Sequence, residues 1–308
     1  MKKKIVAIVV ARQGSSRMPG KSMSEILNRP VVGHIIHRLK LMRLFDEICL
    51  ATSDLDIDKS LIQLGQEMGV STYGGHPEDV LDRIYCAAIK CRADVIVEVG
   101  GDCPFIDPEI VQKALSLYEE NQADFVTNCD PQTYPDGMDV HVVRFTTLKY
   151  ISENAIISSQ RNHPFTYIHK HPAEFKIINF INDKNLSHLR WTLDYPEDFE
   201  FVSTVFEKLF SENELFTMNN ILDLLERHPE IGKINQNRNL VHTESAIPAY
   251  WYTKAYIRDM LKDIQNLAEQ SENLEEQDNF PKLVRYYTEI KELINELSER
   301  SKHFMQNK

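Results

Sequence analysis

Nowhere in the 308 residues does an apolar run approach the roughly 18–20 residues that a membrane-spanning helix requires. The opening, MKKKIVAIVVARQGSSR, has an apolar stretch too short for an export signal and no small-residue cleavage pattern after it, so a cytoplasmic protein with no membrane partner is expected. Cysteine is scarce and scattered. Cys49, Cys86, Cys91, Cys103 and Cys129 are odd in number and show no C-x-x-C spacing, which speaks against a disulfide framework or a zinc knuckle and leaves reduced thiols. Positive charge is in deficit: 35 Lys and Arg against 46 Asp and Glu give a formal net charge of -11. A nucleic-acid footprint needs a basic surface that neutralises several phosphates, so no nucleic-acid partner is expected. Internal repeats are absent too.

The basic residues that exist are unevenly placed. Residues 1–40 hold nine Lys or Arg and one acid, Glu25, so a local basic site sits inside an acidic protein and suits a small polyanion better than a duplex. Residues 5–10 form an unbroken run of β-formers, and 48–51, 94–99 and 124–127 repeat the theme after helical patterns. Val32, Ile35, Ile36 and Leu39 make one helical face, Leu61, Leu64 and Met68 a second, and Val80, Leu81, Ile84, Ala88 and Cys91 a third. Apolar strands alternating with amphipathic helices imply a three-layer α/β/α domain around a mostly parallel sheet, with ligands held beyond the carboxyl ends of the strands.

The segment PQTYPDGMD, 131–139, breaks this rhythm with two prolines and a glycine, and His141, His163, His169, His171 and His188 follow among short strands and helices. Residues from about 130 to 190 are therefore read as an acceptor-side or dimerisation insertion. A strand in FKIINFI and a helix opened by Pro196 bring the catalytic domain, 1–235, to its end. Residues 245–308 change in composition and read as a helical C-terminal extension, whose stripe of Leu283, Tyr286, Tyr287, Ile290, Leu293 and Leu297 needs a partner; a homodimer is the preferred one.

Residues 11–21, ARQGSSRMPGK, follow the first strand and gather Arg12, Arg17 and Lys21 with Gly14, Ser15, Ser16 and Gly20. Glycines let backbone amides turn toward a ligand, and three cations meet a triphosphate's charge. The stretch narrowly misses the P-loop pattern, because Ser15 stands where its first glycine belongs and Pro19 sits inside it. Asp102, in GGDCP at the end of another strand, and Asp194, in RWTLDYPEDFE, are two carboxylates at strand ends, the donor type that Mg²⁺ takes alongside substrate oxygens and water. Each has a plainer alternative: Asp102 as a turn cap before the helix near Pro108, Asp194 as an N-cap before Pro196. Asp198 is a weaker competitor, placed in the first helical turn where the dipole favours an acid.

Together these motifs resemble the cytidylyltransferase family that includes the enzymes activating 3-deoxy-manno-octulosonate and acylneuraminate, and especially its spore-coat-polysaccharide-like branch. ARQGSSRMPGK resembles the family's phosphate loop, EDVLDRIYCAA its helix motif, GDCPFIDP its metal-bearing turn, YPDGMDVHV its acceptor-side segment and RWTLDYPEDFE its closing motif, over about residues 4–210. The resemblance implies a nucleotidyltransferase fold and CTP as donor. It also implies Ala11, Arg12, Gly14, Ser15, Arg17 and Lys21 at the nucleotide phosphates, Arg83 as a contributor there, and Asp102 and Asp194 as Mg²⁺ ligands. Arg83 reads equally well as a solvated helix residue, and His163 as a substrate contact or a structural histidine.

The reaction expected is in-line attack of an acceptor oxygen on the α-phosphorus, with pyrophosphate leaving and no protein nucleophile. Arg12, Arg17, Lys21, Asp102 and Asp194 carry it, and the acceptor is a sugar acid or related small metabolite of surface-polysaccharide synthesis. Three other readings stand beside it: cytidylyl transfer to a phosphate or phosphonate, an NDP-sugar-dependent glycosyltransferase, and a non-catalytic interaction protein. The cationic loop disfavours the second and the pair of aspartates the third.

Overall fold

In a computed structural model of the protein, residues 2–15, 17–155 and 158–238 are described, together with a few isolated positions beyond 260. The expected helices of 245–308 lie, apart from those positions, outside the described residues. The strands are β1 (Ile5–Val10), β2 (Glu25–Ile26), β3 (Arg29–Pro30), β4 (Glu47–Ser53), β5 (Ser71–Gly75), β6 (Val95–Gly100), β7 (Phe125–Thr127), β8 (His141–Arg144) and β9 (Ile177–Asn179). The helices are α1 (Val31–Met42), α2 (Lys59–Glu67), α3 (Val80–Cys91), α4 (Pro108–Asn121), α5 (Phe145–Asn154), α6 (Ser158–Asn162), α7 (Thr166–Lys170), α8 (Pro196–Leu209), α9 (Met218–Arg227) and α10 (Pro229–Gly232).

Seven strands form one sheet in the order β5-β4-β1-β6-β8-β7-β9, and β2 pairs with β3 in a small ribbon. Among the described residues β8 alone runs against its sheet neighbours, so the sheet is mostly parallel. Alternation along the strands sorts the core onto two faces. In β1, Ala7 and Val9 face a cluster shared with Ile35 of α1, Leu61 of α2, Val111 of α4 and Val202 of α8. Val6 and Ile8 face the opposite cluster with Leu81 and Ile84 of α3, Leu148 of α5 and Ile168 of α7. This is the expected three-layer arrangement. Among the described residues no helix is long and apolar enough to cross a membrane.

Two strands escape a reading by pattern. β5, STYGG, has no apolar run, and only its parallel pairing with β4 and its place at the sheet edge make it a strand. β8 follows β7 in the chain yet lies between β6 and β7, with Val97 opposite Val142 on one side and Val126 opposite Val142 on the other. Local periodicity carries no information on that order.

Candidate active site

The loop 11–21 leaves β1 in the crevice beyond the strand ends, and its course is set by backbone bonds. Ala11 N–H donates to Ala51 O (3.1 Å), Gln13 N–H to Asp58 Oδ1 (2.7 Å), and Gly20 N–H back to Gln13 O (3.1 Å), which folds the loop on itself. The turn after β6 lies directly against its start: Gly101 N–H donates to Val10 O (2.8 Å), and a Cβ on Gly101 would stand 2.6 Å from Ala11 Cβ. Glycine is what lets the turn bearing Asp102 come this close.

Lys21 stands at the centre. Its Nζ donates to Asp102 Oδ2 (2.9 Å), Asp194 Oδ1 (2.9 Å) and Leu193 O (2.7 Å), and its side chain is only 10% exposed. Burial works against the ammonium, but the Asp102 and Asp194 carboxylates outweigh it and raise its pKa. Arg17 Nη2 adds a bond to the same Asp194 oxygen at 2.9 Å. Burial works against the Asp194 charge too, and Lys21, Arg17 and Arg190 together hold its pKa below the ordinary carboxylate value.

Neither aspartate is a helix cap. The cap of α4 is Asp107, whose Oδ1 accepts from Glu109 N–H (2.8 Å) and Ile110 N–H (3.1 Å). At α8 the receiving carboxylate is Asp198, fully buried, which takes Asp194 N–H and Tyr195 N–H on Oδ2, each at 3.0 Å. Asp198 thus serves the start of the helix and leaves the Asp194 carboxylate facing the crevice. A residue that pattern reading passed over joins the two. Arg190 Nη2 donates to Asp194 Oδ2 (3.0 Å) and Asp198 Oδ2 (3.1 Å), and Nη1 to Asp136 Oδ2 (3.1 Å). In the sequence it shows only as a cation in the RWTLDYPEDFE motif, with nothing to mark the carboxylates it meets.

Arg12 and Arg83 lie together in a second group. Arg83 is 1% exposed, and its Nη1 donates to His76 O (3.3 Å) and Pro77 O (3.0 Å); Arg12 Nη1 donates to the same Pro77 carbonyl at 3.0 Å. Burial, then the neighbouring Arg12, push the Arg83 pKa down to about 10. Arg83 is therefore a buried support of the 76–77 loop and not a solvated helix residue. Gly14 is exposed with open space around it, Ser15 Oγ accepts from Met18 N–H (3.3 Å), and Ser16 lies outside the described residues.

The sequence profile of the cytidylyltransferase family matches residues 6–194, a span running from β1 to the aspartate on which Arg17, Lys21 and Arg190 meet. The chain belongs to the cytidylyltransferase family. It is accordingly a nucleotidyltransferase. Spore coat polysaccharide biosynthesis protein SpsF of Bacillus subtilis is 27% identical over 234 residues, covering 73% of this chain and 95% of that protein. The 3-deoxy-manno-octulosonate cytidylyltransferase of Geobacter metallireducens is 36% identical over 115 residues, covering 37% of this chain and 44% of that enzyme. Among solved structures, a cytidylyltransferase from Leptospira borgpetersenii superposes with a TM-score of 0.71 at 27% identity, covering 75% of this chain and 97% of that one.

Near Asp102, buried carboxyl groups of the cytidylyltransferase are biased toward their protonated forms. Desolvation, then Asp102 and Asp139, push Glu98 up to about 8, and desolvation with Asp136 pushes Asp139 up to about 7. Among the described residues no three His, Cys, Asp or Glu side chains are grouped to enclose a metal ion. The fit to Mg²⁺ is of the other kind: Asp102, in the turn after β6, and Asp194, in an extended segment before α8 and not at the strand end expected for it, converge on one cationic nitrogen, so that most of the coordination would fall to substrate and water. Further along, Thr127 Oγ1 pairs with His141 Nδ1 (3.0 Å) and His169 Nδ1 with Asp130 Oδ2 (3.1 Å). Cys103 is buried, and desolvation with Asp102 beside it raises its thiol well above the ordinary value, so it offers no nucleophile.

Proposed function

We propose that this cytidylyltransferase transfers CMP from CTP to an oxygen of a sugar acid or related small acceptor, releasing pyrophosphate, with Mg²⁺ held at Asp102 and Asp194. The observation that carries the reading is the meeting of Lys21 and Arg17 with Asp102 and Asp194 beyond the ends of β1 and β6. Arg12 is exposed and has only a carbonyl partner among the described residues, so its charge is available to phosphate oxygens alongside the amide of Gly14, while buried Arg83 and the bonded amides of Ala11 and Ser15 hold the loop in place. Lys21 and Arg17, neutralised by carboxylates in the free protein, reach the departing pyrophosphate by exchanging partners.

The acceptor oxygen forms its bond to the α-phosphorus as the bond from that phosphorus to the bridging oxygen breaks, the electron pair leaves with pyrophosphate, and the acceptor proton passes to solvent water. When bound, Mg²⁺ supplies charge neutralisation at the triphosphate oxygens. This chain's residues bind, align and balance charge, which is the larger part of catalysis in phosphoryl transfer. Support for the acceptor class and for a place in surface-polysaccharide synthesis comes from the names of the two relatives, one a polysaccharide biosynthesis protein and one acting on an eight-carbon sugar acid.

Pyrophosphate release with each of four nucleoside triphosphates and Mg²⁺, against sugar acids, sugar phosphates and phosphonates, tests the whole statement. Turnover is expected with CTP and a sugar acid. Equal turnover with all four nucleotides sinks the donor, and release only with a phosphate or phosphonate sinks the acceptor class. Asp102→Asn and Asp194→Asn are each expected to lower turnover by at least about 100-fold with the fold intact; full Mg²⁺-dependent activity in both rejects their role.

A further inference from the structure

Arg190 contacts four oxygens on three carboxylates while its side chain is 11% exposed. Nε and Nη2 take both oxygens of Asp198 at 3.1 Å each, Nη2 also takes Asp194 Oδ2 at 3.0 Å, and Nη1 takes Asp136 Oδ2 at 3.1 Å. The two oxygens of Asp194 are thus divided: Oδ2 belongs to Arg190, while Oδ1 faces Arg17 and Lys21. A carboxylate gripped at both oxygens cannot swivel without losing a charged bond. We propose that Arg190 is a positioning residue that fixes the Asp194 carboxylate with Oδ1 turned toward the divalent cation, and that it ties this orientation to the acceptor-side segment through Asp136. The proposal rests on the reading of Asp194 as a metal ligand.

The frame behind Arg190 is rigid enough for that task. Asp198, its principal anchor, is fully buried and also accepts from Asn235 Nδ2 at 2.9 Å; the same Asn235 nitrogen donates to Arg190 O at 2.9 Å. The backbones run together as well, Asp136 N–H donating to Leu189 O (2.9 Å) and Trp191 N–H to Asp136 O (2.7 Å). A guanidinium presents its donors in a fixed plane, so one group can hold three carboxylates in set directions; a lysine gathers its three donors on one nitrogen at the end of a flexible stem and has no such fork. Partners that orient a metal ligand in this way typically carry about 10–100-fold of the metal affinity.

Arg190→Lys keeps the charge and removes the fork, so a change in metal binding reports orientation and not field. The probe is Mn²⁺ binding to the complex of the full chain with CTP, read from the free-ion electron paramagnetic resonance signal, with Asp194→Asn as reference and urea unfolding as a check on the fold. Both variants are expected to weaken Mn²⁺, R190K by about 10-fold, while affinity for CTP without metal stays within about twofold. Wild-type Mn²⁺ affinity in R190K beside weakened binding in D194N overturns the role of Arg190 and leaves Asp194 standing. Wild-type affinity in D194N overturns the metal-ligand reading and this proposal with it. If R190K loses its native urea transition, Arg190→Gln decides by sign: deleting a cation beside a metal site tightens binding by itself, so a fall supports positioning and a rise overturns it.

Discussion

Replacing Lys21 by Met tests the idea that this ammonium and the divalent cation compete for the same carboxylates. Two ion pairs at 2.9 Å hold Lys21 in place, and at an effective dielectric constant of about 20 each is worth about 6 kcal/mol of attraction. Desolvation of Lys21 and of its two carboxylate partners, several kcal/mol for each buried ion, offsets most of this sum. What a metal ion must overcome in the nucleotide-free protein is the remainder, on the order of 1–3 kcal/mol, or roughly 5- to 150-fold in affinity. Lys21→Met should therefore bind Mn²⁺ about tenfold more tightly than wild type without nucleotide, and at the same time lose about 100-fold or more in turnover because the cation meant for the pyrophosphate is gone. The fold should survive, since Asp102 is 38% exposed and can be hydrated, and Asp194 keeps Arg17 and Arg190. Calorimetric titration of Mn²⁺ into each free protein, followed by titration in the presence of CTP, separates the two effects. Mn²⁺ affinity in folded nucleotide-free K21M equal to or below wild type would refute competition for the carboxylates.

Gly137 has φ of +98°, and a Cβ there would stand 2.5 Å from Thr192 N, so Gly137→Ala should destabilise by about 2 kcal/mol or more and loosen the Asp136–Arg190 contact; urea unfolding measures the first and Mn²⁺ affinity with CTP the second. Buried His34 is held near pKa 4 by desolvation, donates Nε2–H to Ile26 O at 2.7 Å and has no partner for Nδ1, so it resists protonation. Its folded pKa lies below the unfolded value, so its contribution is complete above about pH 6.5 and falls away between there and about pH 4, by up to about 3 kcal/mol. His34→Gln, though weaker at pH 7.5, should lose less stability on going to pH 5 than wild type, as measured by urea midpoints; an equal loss would remove His34 from the acid response. Light scattering of the full chain and of residues 1–244 tests the proposed homodimer: the full chain is expected to be dimeric and the truncated form monomeric with retained nucleotidyl transfer, whereas a truncated protein that keeps its mass and stability but loses all transfer would place 245–308 in the active site.

The unbroken apolar run of 5–10 and the helical stripe of Val32, Ile35, Ile36 and Leu39 were enough to place β1 and α1, because a strand buried on both faces is apolar throughout and a helix packed on a sheet shows its period in nearby residues. Arg17, Lys21, Asp102 and Asp194 are likewise marked by residue type, the first three in segments that follow β1 and β6; the sequence order of these motifs also carried the family. What pairs with what was not legible. Lys21 and Asp194 are 173 residues apart, and they meet because β1 lies beside β6 and Leu193 N–H bonds Asp102 O in the turn after β6. The insertion of β8 between β6 and β7 was decided by backbone pairing between distant segments, and so was the edge strand β5, whose residues have no apolar pattern of their own. For Arg83 the sequence leaves a nucleotide-site contributor and a solvated helix residue equally open, and only the fold shows it buried under the 76–77 loop. Arg190 and Asp198 show the limit most clearly: a charged residue's work depends on the opposite charges packed around it, and that neighbourhood is a property of the fold, drawn from segments as far apart as Asp136 and Asn235. From composition and spacing alone came a phosphate-binding α/β enzyme with two aspartates at its crevice; which oxygen each cation holds was settled by tertiary packing, because hydrogen-bond geometry is set by distances that sequence separation does not encode.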